Sequence, residues 1–157
     1  SLNKKGKSIA INILRKHRLW ETFLVNKLNF NWDVVHDVAE QLEHIKSEDL
    51  IDKLDSFLNY PKFDPHGEVI PKKDGSIPKT NRIALSDLEE KTKGMVMGVT
   101  LDDSAFLQYL TKLEIKIGTE IEITERIKFD KSVVVLINNK KQNLSNEVAK
   151  HLLINKK

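Results

Sequence analysis

Cysteine is absent from the 157 residues, which removes disulfides and thiolate metal sites together. Any metal must therefore be held by His, Asp and Glu, and the absence fits the reducing cytoplasm, the expected location. Long hydrophobic runs are also lacking: nothing approaches the roughly 18–20 apolar residues of a membrane span. The opening residues 1–7 are polar and basic and do not read as a signal peptide. Charge of one sign is scarce, with a net of only +3. The positives gather at the two ends, which permits contact with nucleic acid without requiring it. Proline is limited to four residues, all between positions 59 and 82.

What is present divides at that proline cluster. Ile9, Ile13, Leu14, Trp20, Leu24 and Leu28 recur at helical spacing and predict a first helix over residues 8–27. Val35, Val38, Ala39, Leu42 and Ile45 predict a second, opening near Trp32 or Asp33 and reaching Lys46. Ser47, followed by Glu48 and Asp49, reads as the N-cap of a third, which runs to Leu58 with Leu50, Ile51, Leu54 and Phe57 on its buried face. Residues 59–82 read as loop and linker, with a domain boundary near 78–83. Beyond them, residues 94–99, 115–123 and 132–137 read as strands, 103–113 as a helix and 145–153 as a terminal helical turn. The expected class is α+β, an all-helical domain over residues 1–78 followed by a small β-barrel over 83–157.

Four of the five histidines lie in the first 66 residues, each near an acidic side chain. His17 and Glu21 stand four apart on the first helix. On the second, His36, Glu40, Glu43 and His44 fall on one stripe at i, i+4, i+7 and i+8. Imidazole with carboxylate suits Mn²⁺, Fe²⁺, Co²⁺ or Zn²⁺. A single such pair is ordinarily a solvated surface pair; two groups on adjacent helices bring metal binding level with that reading. Adjacent Glu43 and His44 fit the Glu-x-x-His pattern of two-metal bundle enzymes poorly. No separate acid, base or nucleophile stands apart from these residues, so an enzyme is not expected. Trp20 and Trp32 read as core or dimer-contact residues and His151 as a surface residue.

Residues 15–21 (RKHRLWE), 36–44 (HDVAEQLEH) and 64–71 (DPHGEVIP) resemble the diphtheria toxin repressor and manganese transport regulator family of iron-dependent repressors. Residues 2–10 resemble the stretch leaving that family's DNA-binding winged helix. Residues from Leu85 onward, including 104–110, resemble its C-terminal SH3-like domain. The resemblance implies a metal-dependent transcriptional repressor, active as a homodimer on operator DNA, of which this chain carries the metal-sensing and dimerisation part. The winged helix itself would lie before residue 1, with residues 1–8 as its tail, and no membrane partner is implied. A stand-alone metal-binding or iron-transport accessory module is the alternative, because the SH3-like domain resembles one linked to ferrous iron transport.

The same resemblance implies ligands. A regulatory site falls on Glu40, Glu43 and His44; Glu40, where iron-type members often carry Cys, favours Mn²⁺ over Fe²⁺. Zn²⁺, Co²⁺ and Ni²⁺ remain competent in vitro. An ancillary site falls on His17, Glu21, His36 and Asp102, with Asp103 adjacent and Ala105 standing where the family has a Gln ligand. In some manganese-responsive members the loop bearing His66 supplies ligands instead, which here gives Glu21, Asp64, His66 and Asp102. In the manganese regulator the counterpart of His17 also joins a two-metal cluster with the Glu40/Glu43 pair, and the sequence does not choose among these arrangements.

Overall fold

The computed structural model describes residues 3–157, so the resemblance of Leu2 to the end of a wing lies outside the described residues. The chain forms two compact units, one up to Lys79 and one from Thr80. Among the described residues, no helix is long and apolar enough to cross a membrane.

The first unit is helical. Helix α1 spans Lys4–Leu28, opening four residues earlier than the apolar pattern alone predicts. The reason is local: the Asn3 side chain accepts a hydrogen bond from the Gly6 amide at 2.8 Å and caps the first turn. It ends at Asn29, whose left-handed φ of 57° closes the last turn. Helix α2 spans only Val35–Leu42 and α3 spans Glu48–Phe57, with Ser47 Oγ accepting from the Leu50 amide as its cap. Residues 43–46, expected as the last turn of α2, lie outside the helix. A core of Leu19, Trp20, Leu24, Val35, Ala39, Ile51, Leu54 and Ile70 joins the three helices. On α3 only Ile51 and Leu54 are buried; Leu50 and Phe57, expected on the same face, are exposed.

The proline-rich segment is not all linker. Phe63 bridges Val69, the Ile70 amide donates to the Lys62 carbonyl, and the chain turns tightly between them at Gly67, whose φ of 79° favours glycine. Asp64, His66 and Ile70 on this small hairpin are buried, which fixes it to the helical unit.

The second unit is a six-stranded antiparallel sheet in the order β1-β6-β2-β3-β4-β5. Its strands are β1 (Ile83–Ala84), β2 (Lys93–Val99), β3 (Glu120–Arg126), β4 (Val133–Ile137), β5 (Lys140–Leu144) and β6 (Leu152–Lys156). Helix α4 (Ser104–Lys112) follows β2, and α5 (Asn146–Lys150) precedes β6. Strand β3 begins five residues later than the alternating isoleucines predict. Ile115 is buried in a turn that returns from α4, so its apolar side chain mimics a strand position. Residues 152–153, expected as helix, open β6, which pairs with both β1 and β2. Asn138 and Asn139, with φ of 49° and 62°, form the tight turn between β4 and β5.

Where β2 crosses β6 the backbones approach closely. A Cβ on Gly94 would sit 2.5 Å from Ile154 Cγ2 and 2.7 Å from the Asn155 carbonyl oxygen, and that backbone atom cannot swing aside. Gly94→Ala is expected to cost about 1–3 kcal/mol of stability. A lowered thermal midpoint checks this; an unchanged one would show that the strands separate freely.

Candidate metal centre

The chemistry of the first unit converges on one carboxylate. Glu21 lies on α1 facing α2 and the 62–70 hairpin, and is only 3% exposed. Its Oε1 contacts His17 Nε2, one helical turn earlier, and stands 3.9 Å from His36 Nδ1 on α2. Its Oε2 lies 2.8 Å from His66 Nδ1 on the hairpin. Oε2 is buried, and beside this ion-pair contact it accepts no other hydrogen bond.

Two of the imidazoles, His66 and His17, are oriented by their other nitrogen. His66 Nε2 donates to the Trp32 carbonyl at 2.7 Å, while the Trp32 ring stacks on the imidazole at 6.1 Å. A carbonyl only accepts, so the Nε2 proton is fixed and Nδ1 is turned toward the carboxylates. His17 Nδ1 lies 2.6 Å from Glu43 Oε2, which leaves Nε2 for Glu21. This His17 Nε2 also lies 3.1 Å from His36 Nδ1, so two imidazole nitrogens face one another beside Glu21. Asp64 Oδ1 accepts from the amides of His66 and Glu68, both at 2.9 Å, which holds the hairpin and leaves the second carboxylate oxygen uncommitted to these amides.

Among the described residues, two sets of three side chains bring ligand atoms within 4.8 Å of one another: His17, Glu21 and His36, and Glu21, Asp64 and His66. The structure thus assembles parts of both ligand sets the sequence left open, with Glu21 common to them. Buried carboxylate oxygens and imidazole nitrogens brought together in this way fit a divalent cation.

The remaining expected ligands are placed differently. Early termination of α2 breaks the stripe of four: Glu43 turns to His17, while His44 is largely exposed and 3.9 Å from Glu43, and Glu40 is exposed. Asp102 and Asp103 belong to the second unit, where Asp103 caps α4 by accepting from the Phe106 amide at 3.0 Å. Trp32 was read as core or dimer contact, yet its carbonyl positions His66; no sequence pattern marks a backbone acceptor. His151 bonds Thr100 Oγ1 at 2.8 Å within the second unit.

Electrostatics couple the cluster to protons. Burial alone would lower the His66 pKa, but the Glu21 carboxylate beside it, with Asp64 and the Trp32 carbonyl, raises it to about 9. Burial works against ionised Glu21, yet His17 and His66 hold it down at about 2. Burial, reinforced by the Glu21 charge, pushes Asp64 up to about 7. The folded protein holds the His66 proton more tightly than the unfolded chain does. Its stabilisation is complete below about pH 6.5 and is lost as pH rises through about 9. Asp64 acts in the same direction between about 3.8 and 7. Metal-free protein is therefore expected to melt at progressively lower temperature as pH rises from 5 to 9. His66→Gln should flatten the portion above about pH 6.5; an unaltered slope would refute the pairing.

Comparison with known proteins agrees with both units. Residues 3–72 match the family described as iron dependent repressor, metal binding and dimerisation domain, and residues 83–156 match the FeoA domain. A "Probable metal transport system membrane protein" of Chlamydia trachomatis is 44% identical over 73 residues, covering 46% of this chain and 16% of that protein. The diphtheria toxin repressor of Corynebacterium diphtheriae is 28% identical over 132 residues, covering 77% of this chain and 58% of the repressor. The matches therefore span less than two thirds of the length of these curated relatives. A solved structure of a manganese-dependent transcriptional repressor complex with manganese superposes with a TM-score of 0.91 at 32% identity, covering 99% of this chain and 74% of that one.

Proposed function

The chain belongs to the family of iron- and manganese-dependent repressors, and we propose that it performs the metal-sensing and dimerising work of such a repressor. The observation that carries this reading is the buried Glu21 carboxylate set among three imidazoles whose ligating nitrogens are already turned toward it. Mn²⁺ or Fe²⁺ fits these oxygen and imidazole donors, with His17, Glu21, His36, Asp64 and His66 as holders. Asp102, with Asp103 as neighbour, remains the proposed further donor from the SH3-like unit. The named relatives are repressors and a transport-system protein, so the reading is regulatory rather than catalytic. The proposed location is the cytoplasm.

Glu40, Glu43 and His44 remain the proposed regulatory set. In this arrangement Glu43 is held by His17, so completing that set requires the carboxylate to leave the imidazole. A bound cation supplies only the difference in its affinity for the two placements of Glu43. In the family's manner, that difference would favour one placement of a DNA-binding domain on a dimeric core. Phe57 and Tyr60 expose 62% and 66% of their surface at the end of α3 and just beyond it, and form part of the proposed contact with a second copy.

Calorimetric titration with Mn²⁺ tests the sensing reading. Glu21→Ala should abolish binding at the buried cluster, while Glu43→Ala should weaken it about 10–100-fold by releasing His17. No Mn²⁺, Fe²⁺ or Zn²⁺ binding by the unaltered protein would sink the reading. Phe57→Glu is expected to shift the protein toward monomer in sedimentation while preserving its helical signal; an unchanged dimer would move the interface elsewhere.

The transport-system relative favours a second reading, in which the same module reports metal to a membrane transporter. Metal-dependent, sequence-specific DNA retention by the protein supports the repressor. Metal binding without DNA retention supports the transport module.

A further inference from the structure

We infer that the tip of the β3–β4 hairpin in the second unit is a contact for duplex DNA, with Phe129 as an apolar wedge against a base step and Lys128 and Lys131 on the flanking phosphates. The inference goes beyond the metal-sensing reading and does not depend on it, because no cation takes part. Phe129 is 97% exposed, more than any other large apolar side chain among the described residues. Exposure of one apolar residue is ordinary in itself. What sets Phe129 apart is the turn that displays it. Arg126 and Val133 form the last pair of the hairpin, and residues 127–132 lie beyond it. There the Ile127 amide donates to the Ser132 carbonyl and the Lys131 amide to the Ile127 carbonyl, both at 2.9 Å. Asp130 Oδ1 accepts from the Ser132 amide at 2.9 Å, and Lys131 adopts a left-handed φ of 60°. At the base of the turn the Arg126 guanidinium donates to the Ser86 and Leu88 carbonyls, and its amide donates to Glu90 Oε1 at 2.8 Å. The aromatic ring therefore stands on a fixed support, which leaves little backbone freedom to lose on binding.

The neighbours of the ring choose the partner. Lys128, Asp130 and Lys131 stand beside it in sequence, and all three are exposed. Asp130 is the only acidic residue among 127–132, and it is engaged with the Ser132 amide, so the two lysines dominate the tip. The core of a protein interface is contiguous apolar surface depleted in charge. A hold on a bilayer needs more apolar surface than one ring supplies. A single aromatic ring between two cations fits a nucleic acid instead, where a base face lies next to phosphates. The duplex is favoured over a single strand for two reasons. A two-stranded β-ribbon matches the dimensions of a duplex groove. One inserted apolar side chain also suffices to unstack a base step and kink the helix.

The test uses the whole chain in EDTA at low salt with a short labelled duplex of mixed sequence. Keeping metal out separates this contact from metal sensing, which stands whatever the outcome here. Fluorescence anisotropy should show binding that Phe129→Ala weakens about 10-fold, the scale of one lost aromatic–base contact. Lys128→Gln combined with Lys131→Asn should lower the salt dependence by nearly two phosphate contacts, asparagine being tolerant of the left-handed backbone. Energy transfer between the duplex ends should report a bend with the unaltered protein and with Phe129→Trp, and none with Phe129→Ala. Substitution at so exposed a position leaves the fold intact, which circular dichroism checks. Any binding through the lysines of residues 4–7 is common to all variants, so the differences between them decide. No duplex binding, equal affinity and bend in Phe129→Ala, or tighter binding to the single strand overturns the proposal. Binding to vesicles of equal parts phosphatidylcholine and phosphatidylserine, lost in Phe129→Ala while duplex binding is unchanged, assigns the tip to a membrane and overturns it as well.

Discussion

The first unit is organised around a buried anion. A carboxylate at the depth of Glu21 is unfavourable unless its charge is met, and α1, α2 and the 62–70 hairpin each bring an imidazole to it. The hydrophobic core of Leu19, Ile51 and Ile70 holds the same elements together without specifying where their polar groups stand. The carboxylate supplies that specification. It sets the rotation of α1 relative to α2, and it gives the hairpin a reason to fold inward. Around it the orienting groups form a second layer: the Trp32 carbonyl, Glu43 and the two amides that hold Asp64.

This layering explains why the two candidate sites are not independent. Glu43 can satisfy His17 or join Glu40 and His44, but it has one carboxylate to offer. The 3.9 Å separation of Glu43 and His44, together with the short extent of α2, leaves the regulatory group unassembled while the buried cluster is in place. Glu43 itself keeps a helical bond, its amide donating to the Ala39 carbonyl at 2.9 Å, so a change of partner would fall to its side chain. Any coupling between the two proposed sites would run through that single side chain.

How much of this was legible in the sequence depended on whether the signal was local. His17 and Glu21 are four apart on a long, strongly periodic helix, so their shared face followed from spacing alone. The family resemblance brought Asp64 and His66 forward as ligands, although composition marked their segment as linker. Prolines and a glycine signal turns equally well in a linker and in a folded-in hairpin; burial of Asp64 and Ile70 decides between them, and burial is not local information. The end of α2 was misread because Ile45 continues the apolar period after the helix has stopped. In the second unit the isoleucines near 115 imitated a strand for the same reason, and β6 escaped notice because its partners β1 and β2 lie some 55–70 residues earlier in the chain.

The donor set also bears on which ion the protein distinguishes. Without cysteine, selectivity cannot come from sulfur, and affinity order alone would favour ions later in the divalent series over Mn²⁺. What remains is geometry and the number of oxygens. Asp64 has one oxygen pinned in place by the amides of His66 and Glu68. Its carboxyl holds a proton up to about pH 7, so a cation must displace that proton as well as the one on His66. Each exchange would oppose cation binding at the proposed site near neutral pH. A sensor needs that property more than it needs tight binding, because a site saturated at all concentrations reports nothing.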